Sequence, residues 1–337
     1  MTPTQVEDQL FPGLLDRGTP LIIKEHSKWT VIGIFHLHLE EDPIKGPGIF
    51  SRLHPDLVNW ITSTAEWTHN STCETFTACS CGITSPNSER HKRSADSTSS
   101  NLKNEKLINR VFHGSDVPVN KYPWEGFVLN RLQEPCIRSH NVFKENDPDG
   151  VKYDICTGSL ISNRHVLTSA ECLLKNKQDI ENQKDSKKTR ADYSKRECIF
   201  VILGFEDKQA AINNEEFYTI EQHIVHNQAF TDVNEYNYNL GEVLQIGFLL
   251  SSYLIQISAI LELSAAVDFS VSMRPICMPH WASKPYQNDR GTIAGWGWDG
   301  QSWGKDLKEV NTVIWTQDFC TEIFKHYWTF QWQTITK

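Results

Sequence analysis

The sequence predicts an all-β fold. Short runs of β-branched and aromatic residues, bounded by glycine or proline, recur along the chain and are typical of antiparallel strands. Several of the 11 tryptophans lie within strand-like runs, which suits an all-β core. At 337 residues the chain is long enough for one large domain, two domains, or parts of two.

Residues 1–69 contain three strand-type runs followed by one amphipathic helix. The runs cover residues 20–23, 29–35 and 48–53. The helix follows Pro55-Asp56, and its apolar residues share one face: Leu57, Val58, Trp60 and Ile61. Later in the chain, the apolar run 199–204 predicts a buried strand that ends at a glycine turn.

Composition and charge exclude some classes of function. A formal net charge of -9 argues against a nucleic-acid binder and against a protein held on anionic membranes. The cysteines show no zinc framework of paired C-x-x-C elements, since Cys79-Ser80-Cys81 is only a C-x-C. We therefore expect neither a metal nor a cofactor.

Cysteine usage indicates an oxidising, secretory setting. Nine cysteines exceed what most cytosolic proteins carry, and Asn70-Ser71-Thr72 is a glycosylation sequon. The first residues have neither a basic nor an apolar region, so no signal peptide is visible. The sequence predicts an extracellular glycoprotein whose natural N-terminus lies elsewhere.

The stretch from Cys156 to Cys172 reads CTGSLISNRHVLTSAEC. It resembles the segment that carries the catalytic histidine in trypsin-like serine peptidases (peptidase S1), close to C-x-G-S-L-I-S-x-x-x-V-L-T-A-A-H-C. The resemblance implies a trypsin-like double antiparallel β-barrel with a C-terminal-type helix, and serine endopeptidase activity in the family. The residue before the second cysteine is that family's general base, and here it is Glu171.

The nucleophile motif departs from the family as well. Residues 15–21, LDRGTPL, resemble G-D-S-G-G-P-L, which puts Arg17 at the nucleophile position. Leu15 replaces a glycine whose N–H helps to form the oxyanion hole, and a bulky residue suits that backbone poorly. At the edge of the substrate pocket, the family has Ser-Trp-Gly, and this chain has His36-Leu37-His38 instead. His38 in place of the glycine would obstruct entry of a substrate side chain.

The family's aspartate, in a strand like N-Y-D-I-A-L-L-E-L, has two candidate positions. Asn239 takes the place of the aspartate when the strand is aligned from its N-terminal side, and Ile257 does so from its C-terminal side. The segment from about Leu240 to Ser258 then looks like an insertion. Neither candidate is a carboxylate, so the sequence predicts a triad degenerate at all three positions.

An uncharged run, Val243–Leu261, overlaps this insertion and is long enough to span a bilayer. Its glutamines and serines make it only moderately apolar, and it has no basic flank to set its orientation. A surface insertion or a translated non-coding segment is favoured over a membrane span.

The chain divides into two pieces and a linker. Residues 1–69 resemble the closing part of a trypsin-like domain, and residues 110–329 resemble its opening and middle parts, starting at an activation-type sequence, Arg110–Gly114. Residues 70–109 have linker composition, within which RHKR at 90–93 is either a processing site or a solvated basic patch.

We predict that the two pieces close into one permuted double barrel, incomplete around the substrate pocket. A linker of this length allows closure, since the entropic cost of a loop grows slowly with its length. The strands at residues 20–53 should then join those at 291–314.

The resemblance also implies a disulfide pattern. Cys156 pairs with Cys172, and Cys277 pairs with a cysteine before the activation site, either Cys79 or Cys81. Cys136 and Cys198 are left as candidates for an extra pair, the usual partner of Cys320 is missing, and the pairing of Cys73 is left open.

Three functions compete. The first is an active serine endopeptidase, which Glu171, Asn239 and Arg17 argue against because none restores the nucleophile, base and acid. The second is a non-catalytic homologue that binds protein partners or peptide-like ligands. The third is a fragment of a larger protein or an imperfect gene model. We expect a non-catalytic homologue or a fragment.

Overall fold

The computed structural model describes residues 17–38, 48–65, 81–84, 115–132, 136, 153–175, 193–205, 217–226, 258–279, 286–297 and 306–315. Within these ranges the chain is mostly β-strand with a single α-helix. The elements are β1 (Pro20–Glu25), β2 (Lys28–His38), β3 (Gly48–Arg52), α1 (Pro55–Thr64), β4 (Ser115–Asp116), β5 (Glu125–Arg131), β6 (Tyr153–Leu160), β7 (His165–Ser169), β8 (Ile199–Leu203), β9 (Tyr218–Val225), β10 (Ser258–Leu263), β11 (Arg290–Gly295) and β12 (Lys308–Val313).

Six strands close into an antiparallel barrel in the order β10-β7-β6-β5-β8-β9. The strand β8, IFVIL, is buried throughout, as its unbroken apolar run predicts. Its partner β5 is also buried along its whole length. The predicted all-β fold is confirmed.

The other six strands form an open antiparallel sheet in the order β3-β2-β1-β11-β12-β4. The strand β1 pairs with β11, where Leu21 lies opposite Ile293 and Ile22 opposite Thr292. Strands from the two ends of the chain therefore share one sheet. The predicted assembly from two pieces, with the strands at 20–53 beside those at 291–314, is confirmed at this pairing.

The helix α1 begins at Pro55, which suits the first helical turn because its missing N–H would have no partner there. Asp56 lies in that turn, where a negative charge is favourable. Leu57 and Ile61 are buried on its inner face, and Trp60 meets His226 at the end of β9, with 4.8 Å between ring centroids. The helix therefore docks against the closed barrel.

Among the described residues, one large cluster of buried apolar side chains includes residues of both the closed barrel and the open sheet. Trp29 of β2 contacts Tyr122 edge-on, and Tyr122 lies beside Trp124, which is fully buried. Both pairs of ring centroids are 5.7 Å apart. Such aromatic contacts add to the hydrophobic free energy of burial.

Three disulfides lie within the described residues: Cys81–Cys277, Cys136–Cys198 and Cys156–Cys172. Both the Cys156–Cys172 bridge and the extra pair are confirmed, and Cys81 rather than Cys79 is the partner of Cys277. Gly82 explains that choice, since its N–H donates to Pro275 and its carbonyl accepts from Trp29. Cys73, Cys79 and Cys320 lie outside the described residues.

The apolar run Val243–Leu261 ends inside the closed barrel. Its last residues, Ser258–Leu261, belong to β10. Residues 243–257 lie outside the described residues. Within the described ranges, no helix combines the length and apolar character needed to cross a bilayer.

Candidate active-site region

Glu171 lies in a short 3-10 helix, Ala170–Leu173, that directly follows β7. Its neighbours Ala170 and Cys172 are buried, whereas Glu171 itself is half-buried. The Cys156–Cys172 bridge ties this helix to β6. The disulfide therefore holds Glu171 at the rim of the closed barrel.

Arg17 lies beside this same loop, although it is far away in sequence. Its carbonyl oxygen accepts a hydrogen bond from the N–H of Thr157 at 2.8 Å. The disulfide sulfur of Cys172 is 3.8 Å from that oxygen. The structure thus brings the backbone of Arg17 next to the residue that follows Glu171.

Gly18 holds the chain in this place. It has a φ of +85°, in the left-handed region, and a Cβ added to it would lie 2.1 Å from the carbonyl oxygen of Thr157. Its N–H donates to Phe35, and the N–H of Phe35 donates to Thr19. Only glycine satisfies both the dihedral angle and the close approach.

Buried hydroxyls lie beneath the loop. Thr168 is fully buried and donates to the carbonyl oxygen of Thr157 at 2.8 Å. Ser169 and Ser258 lie opposite each other in the pairing of β7 with β10, are 2% and 0% exposed, and have no hydrogen-bond partner for their hydroxyls in the described structure. A serine buried to this degree is shielded from any peptide substrate.

Both candidates for the acid position, Asn239 and Ile257, fall outside the part of the chain that the structure describes. Ile257 directly precedes Ser258, which pairs with Ser169, two residues before Glu171.

The oxyanion and pocket positions are also described in part. Leu15 lies outside the described residues, and of His36, Leu37 and His38 only the backbone is described, within β2. The pairing of β2 with β3 is irregular between Phe35 and Leu37, and His38 lies opposite Gly48. Obstruction of the pocket by His38 stays a prediction.

The arrangement places a guanidinium-bearing residue and a carboxylate-bearing residue around one loop. A guanidinium keeps its proton and has no lone pair with which to attack a carbonyl. In the described part of the chain, no group of three or more His, Cys, Asp or Glu side chains could hold a metal ion. The two described positions offer charge and shape rather than a nucleophile.

Two polar clusters were not foreseen from the sequence. The carboxylate of Glu309 in β12 accepts from the hydroxyl of Tyr122 and pairs with Lys121, and it is almost fully buried. Burial and the adjacent charge of Glu309 raise the pKa of the Tyr122 hydroxyl.

His54 and His226 form the second cluster, beside Trp60. Strand and helix periodicity carries no signal for either.

Comparisons with known proteins agree with the geometry. A family model described as Trypsin matches residues 251–334. The chain is 25% identical over 223 residues to the proclotting enzyme of Tachypleus tridentatus, covering 64% of this chain and 46% of that protein. Ovochymase-2 of Mus musculus is 23% identical over 219 residues, with 64% and 27% covered. A venom serine protease of Polistes dominula is 24% identical over 217 residues, with 63% and 58% covered.

A closed antiparallel barrel, a second antiparallel sheet, one helix and the Cys156–Cys172 loop define the class of trypsin-like β-barrel proteins. The family match and these relatives show that the chain is similar to trypsin-like serine peptidases. It spans only 27% to 58% of the length of the three relatives.

Proposed function

We propose that this chain is a serine peptidase homologue that has lost the catalytic triad and acts outside the cell by binding protein partners or peptide-like ligands. One observation carries the proposal: Arg17, at the family's nucleophile position, is held by its backbone against Thr157 and Cys172. An alternative residue cannot slide into that position without breaking these contacts and those of Gly18.

The chemistry of the family supports inactivity. Hydrolysis needs a hydroxyl that attacks the scissile carbonyl, a base that takes its proton, and an acid that orients the base. Arg17 supplies no hydroxyl, and Glu171 replaces an imidazole with a carboxylate. Neither Asn239 nor Ile257 is an acid. Without a nucleophile, no acyl-enzyme forms.

The retained scaffold supports a binding role. Gly18 and the Cys156–Cys172 bridge are kept although the reactive groups around them are not. A fold can serve binding once its chemistry is lost, because function depends on the site rather than on the fold. The three disulfides suit an oxidising, extracellular setting, and Asn70 is the proposed glycosylation site.

Labelling with an active-site-directed fluorophosphonate tests the loss of activity. The purified chain should show no labelling above a heat-denatured sample and no cleavage of a library of unblocked peptides, with active trypsin as the positive control. Labelling that is confined to the folded chain and maps to one serine would overturn the proposal. Peptide cleavage that persists after repurification would do the same.

Binding is tested separately with the same material. Secreted proteins should be retained by the immobilised wild-type chain and be lost when its disulfides are reduced. A matched variant, Glu171→Gln, removes one charge at the rim and should weaken retention if the loop forms part of the binding surface. Equal retention by the reduced chain would contradict a role for the folded scaffold.

A further inference from the structure

Three neighbouring strands of the closed barrel carry a row of polar side chains. Ser169 of β7 lies directly opposite Ser258 of β10. On the other side of β10, the N–H of His226 donates to the carbonyl oxygen of Ser258 at 3.1 Å, which extends the pairing of β9 with β10 by one residue. Residues that lie directly opposite each other in an antiparallel pair share one face of the sheet. The side chains of Ser169, Ser258 and His226 therefore form one row across the barrel wall.

Each side chain in this row has a buried polar atom. Ser169 and Ser258 are 2% and 0% exposed, and Nδ1 of His226 is shielded from solvent as well. Neither the two hydroxyls nor this ring nitrogen has a hydrogen-bond partner in the part of the chain that the structure describes. A buried hydroxyl without a partner costs free energy, so native proteins rarely leave one unsatisfied. The row therefore needs a partner that the described side chains do not supply.

The two serines satisfy neither each other nor the nearby backbone. Ser169 is the N-cap of the 3-10 helix Ala170–Leu173, but its side chain makes no capping hydrogen bond there. Directly opposite residues place their Cβ atoms about 4.5–5.5 Å apart. A molecule that hydrogen-bonds to both hydroxyls at about 2.8 Å from each oxygen spans a gap of this width. The spacing of the pair thus fits one small bridging molecule.

The chemistry of the row selects a neutral molecule that both donates and accepts. Burial lowers the pKa of His226 below its ordinary value of 6.5, and the nearby His54 lowers it further, so the ring is uncharged at neutral pH. An ion in a buried site without an opposite charge is strongly disfavoured. Water donates and accepts, and a buried water typically makes about three hydrogen bonds to polar groups that would otherwise be unsatisfied. Water therefore fits this site.

We propose that ordered water binds in this row and bridges the hydroxyls of Ser169 and Ser258, with the ring of His226 at the outer end of the row. The bridge joins β7 to β10 and anchors Ser169, and with it the 3-10 helix that holds Glu171 at the rim of the barrel. The rim of the candidate site is thereby connected across three strands to the contact of His226 with Trp60 of α1.

The direction of a stability change tests the proposal. Ser258→Ala removes one hydroxyl from the bound water and should lower the urea midpoint of unfolding by roughly 0.3 M, because a buried hydrogen bond is lost. Ser169→Ala should have a similar effect. If the hydroxyls bind no water, each alanine removes an unsatisfied polar group and the midpoint rises. A rise in either variant would overturn the proposal.

The double variant shows whether the two hydroxyls share one molecule. Ser169→Ala/Ser258→Ala should lower the midpoint by less than the sum of the two single losses, because either substitution already breaks the bridge. Thr168→Val is the matched control, since the Thr168 hydroxyl lies on the opposite face and donates to Thr157. Its loss should add to that of Ser258→Ala. Additive losses for the two serines would contradict a shared water.

A crystal structure of the wild-type chain covers the case in which an alanine variant fails to fold. At a resolution that shows ordered water, it should place one water about 2.5–3.0 Å from both hydroxyl oxygens. Hydroxyls that bond directly to each other, or two hydroxyls with no ordered water between them, would overturn the proposal.

Discussion

Gly18 illustrates how a single residue holds the site region together. Its φ of +85° and the 2.1 Å approach of a hypothetical Cβ to Thr157 leave no room for a side chain. Arg17, directly before it, contacts the described residues Thr157 and Cys172 through its backbone carbonyl. The scaffold therefore depends on the glycine rather than on the side chain of Arg17.

Replacement of Gly18 by alanine should destabilise the fold severely. The combined cost of the left-handed dihedral angle and the clash is roughly 3 kcal/mol in the free energy of unfolding. The matched variant Arg17→Ala, one residue away, should change it by about 0.5 kcal/mol or less. Urea unfolding followed by tryptophan fluorescence measures both, and equal losses would show that the Gly18 contact is relaxed in solution.

Glu309 shows a second effect at the level of single residues. Its carboxylate is buried with Lys121 and the Tyr122 hydroxyl, whereas the other pair on β12, Lys308 with Asp116, has an acid that is 84% exposed. Loss of one partner of a buried ion pair leaves the other charge without compensation. In an exposed ion pair, water solvates the charge that remains.

Glu309→Gln should therefore lower the free energy of unfolding by about 3 kcal/mol. Asp116→Asn, its exposed counterpart, should lower it by about 0.5 kcal/mol or less. Chemical denaturation of the two variants beside the wild type gives the comparison. If both substitutions cost the same, the Lys121–Glu309 pair is solvated and does not anchor residues 121–124 to β12.

At the level of elements, α1 docks on the closed barrel through two histidines. His54 precedes the helix, and His226 directly follows β9 and lies beside Trp60. Burial lowers the pKa of both imidazoles. The nearby Asp56 carboxylate raises the pKa of His54, whereas the charge of Arg52 lowers it further. His54 in turn lowers the pKa of His226.

The stability of this contact should depend on pH. Because the folded pKa values lie below the ordinary value of 6.5, the unfolded chain binds more protons as the pH falls, so stability is present above about pH 6.5 and is lost below it. Between pH 7.5 and 5.0 the melting temperature should fall less in His54→Gln/His226→Phe than in the wild type. His26→Asn, at an exposed turn, is the control and should behave as the wild type does.

The element boundaries were largely predictable, whereas the polar interior was not. The runs at 20–23, 29–35 and 48–53 appear as β1, β2 and β3, because β-branched residues bounded by Gly and Pro fit few other structures. Glu309 escaped prediction because a charged residue within a strand usually faces solvent. Sequence alone also left Cys79 and Cys81 equivalent, since they are only two positions apart and the hydrogen bonds of Gly82 decide between them.

For the molecule as a whole, the sequence indicated which residues belong to the candidate site but not how they are arranged in space. The resemblance placed Arg17 and Glu171 at two sites of one motif set, and the structure brings their loops together at Thr157 and Cys172. The distance between them in space could not be read from the sequence, because it depends on contacts between residues that are far apart along the chain.

The Cys81–Cys277 bridge should keep the two pieces together after cleavage. It joins residues that are 196 positions apart, on either side of residues 85–114. A chain cut once within that stretch, at Arg93 or Arg110, should run as one band on a denaturing gel without reductant and as two bands with it. Cys81→Ser should give two bands in both lanes, and one band from this variant without reductant would show that a different cysteine makes the tether.

The position of β1 between β2 and β11 also has a consequence for synthesis on the ribosome. The hairpin of β1 and β2 emerges early, but β11, on which its other edge closes, follows only after residue 289 has been translated. At ~5–20 residues per second, the early hairpin waits for roughly 10 to 50 s with an unpaired edge. The nascent chain should therefore depend on holding factors that mask this edge until β11 has been made.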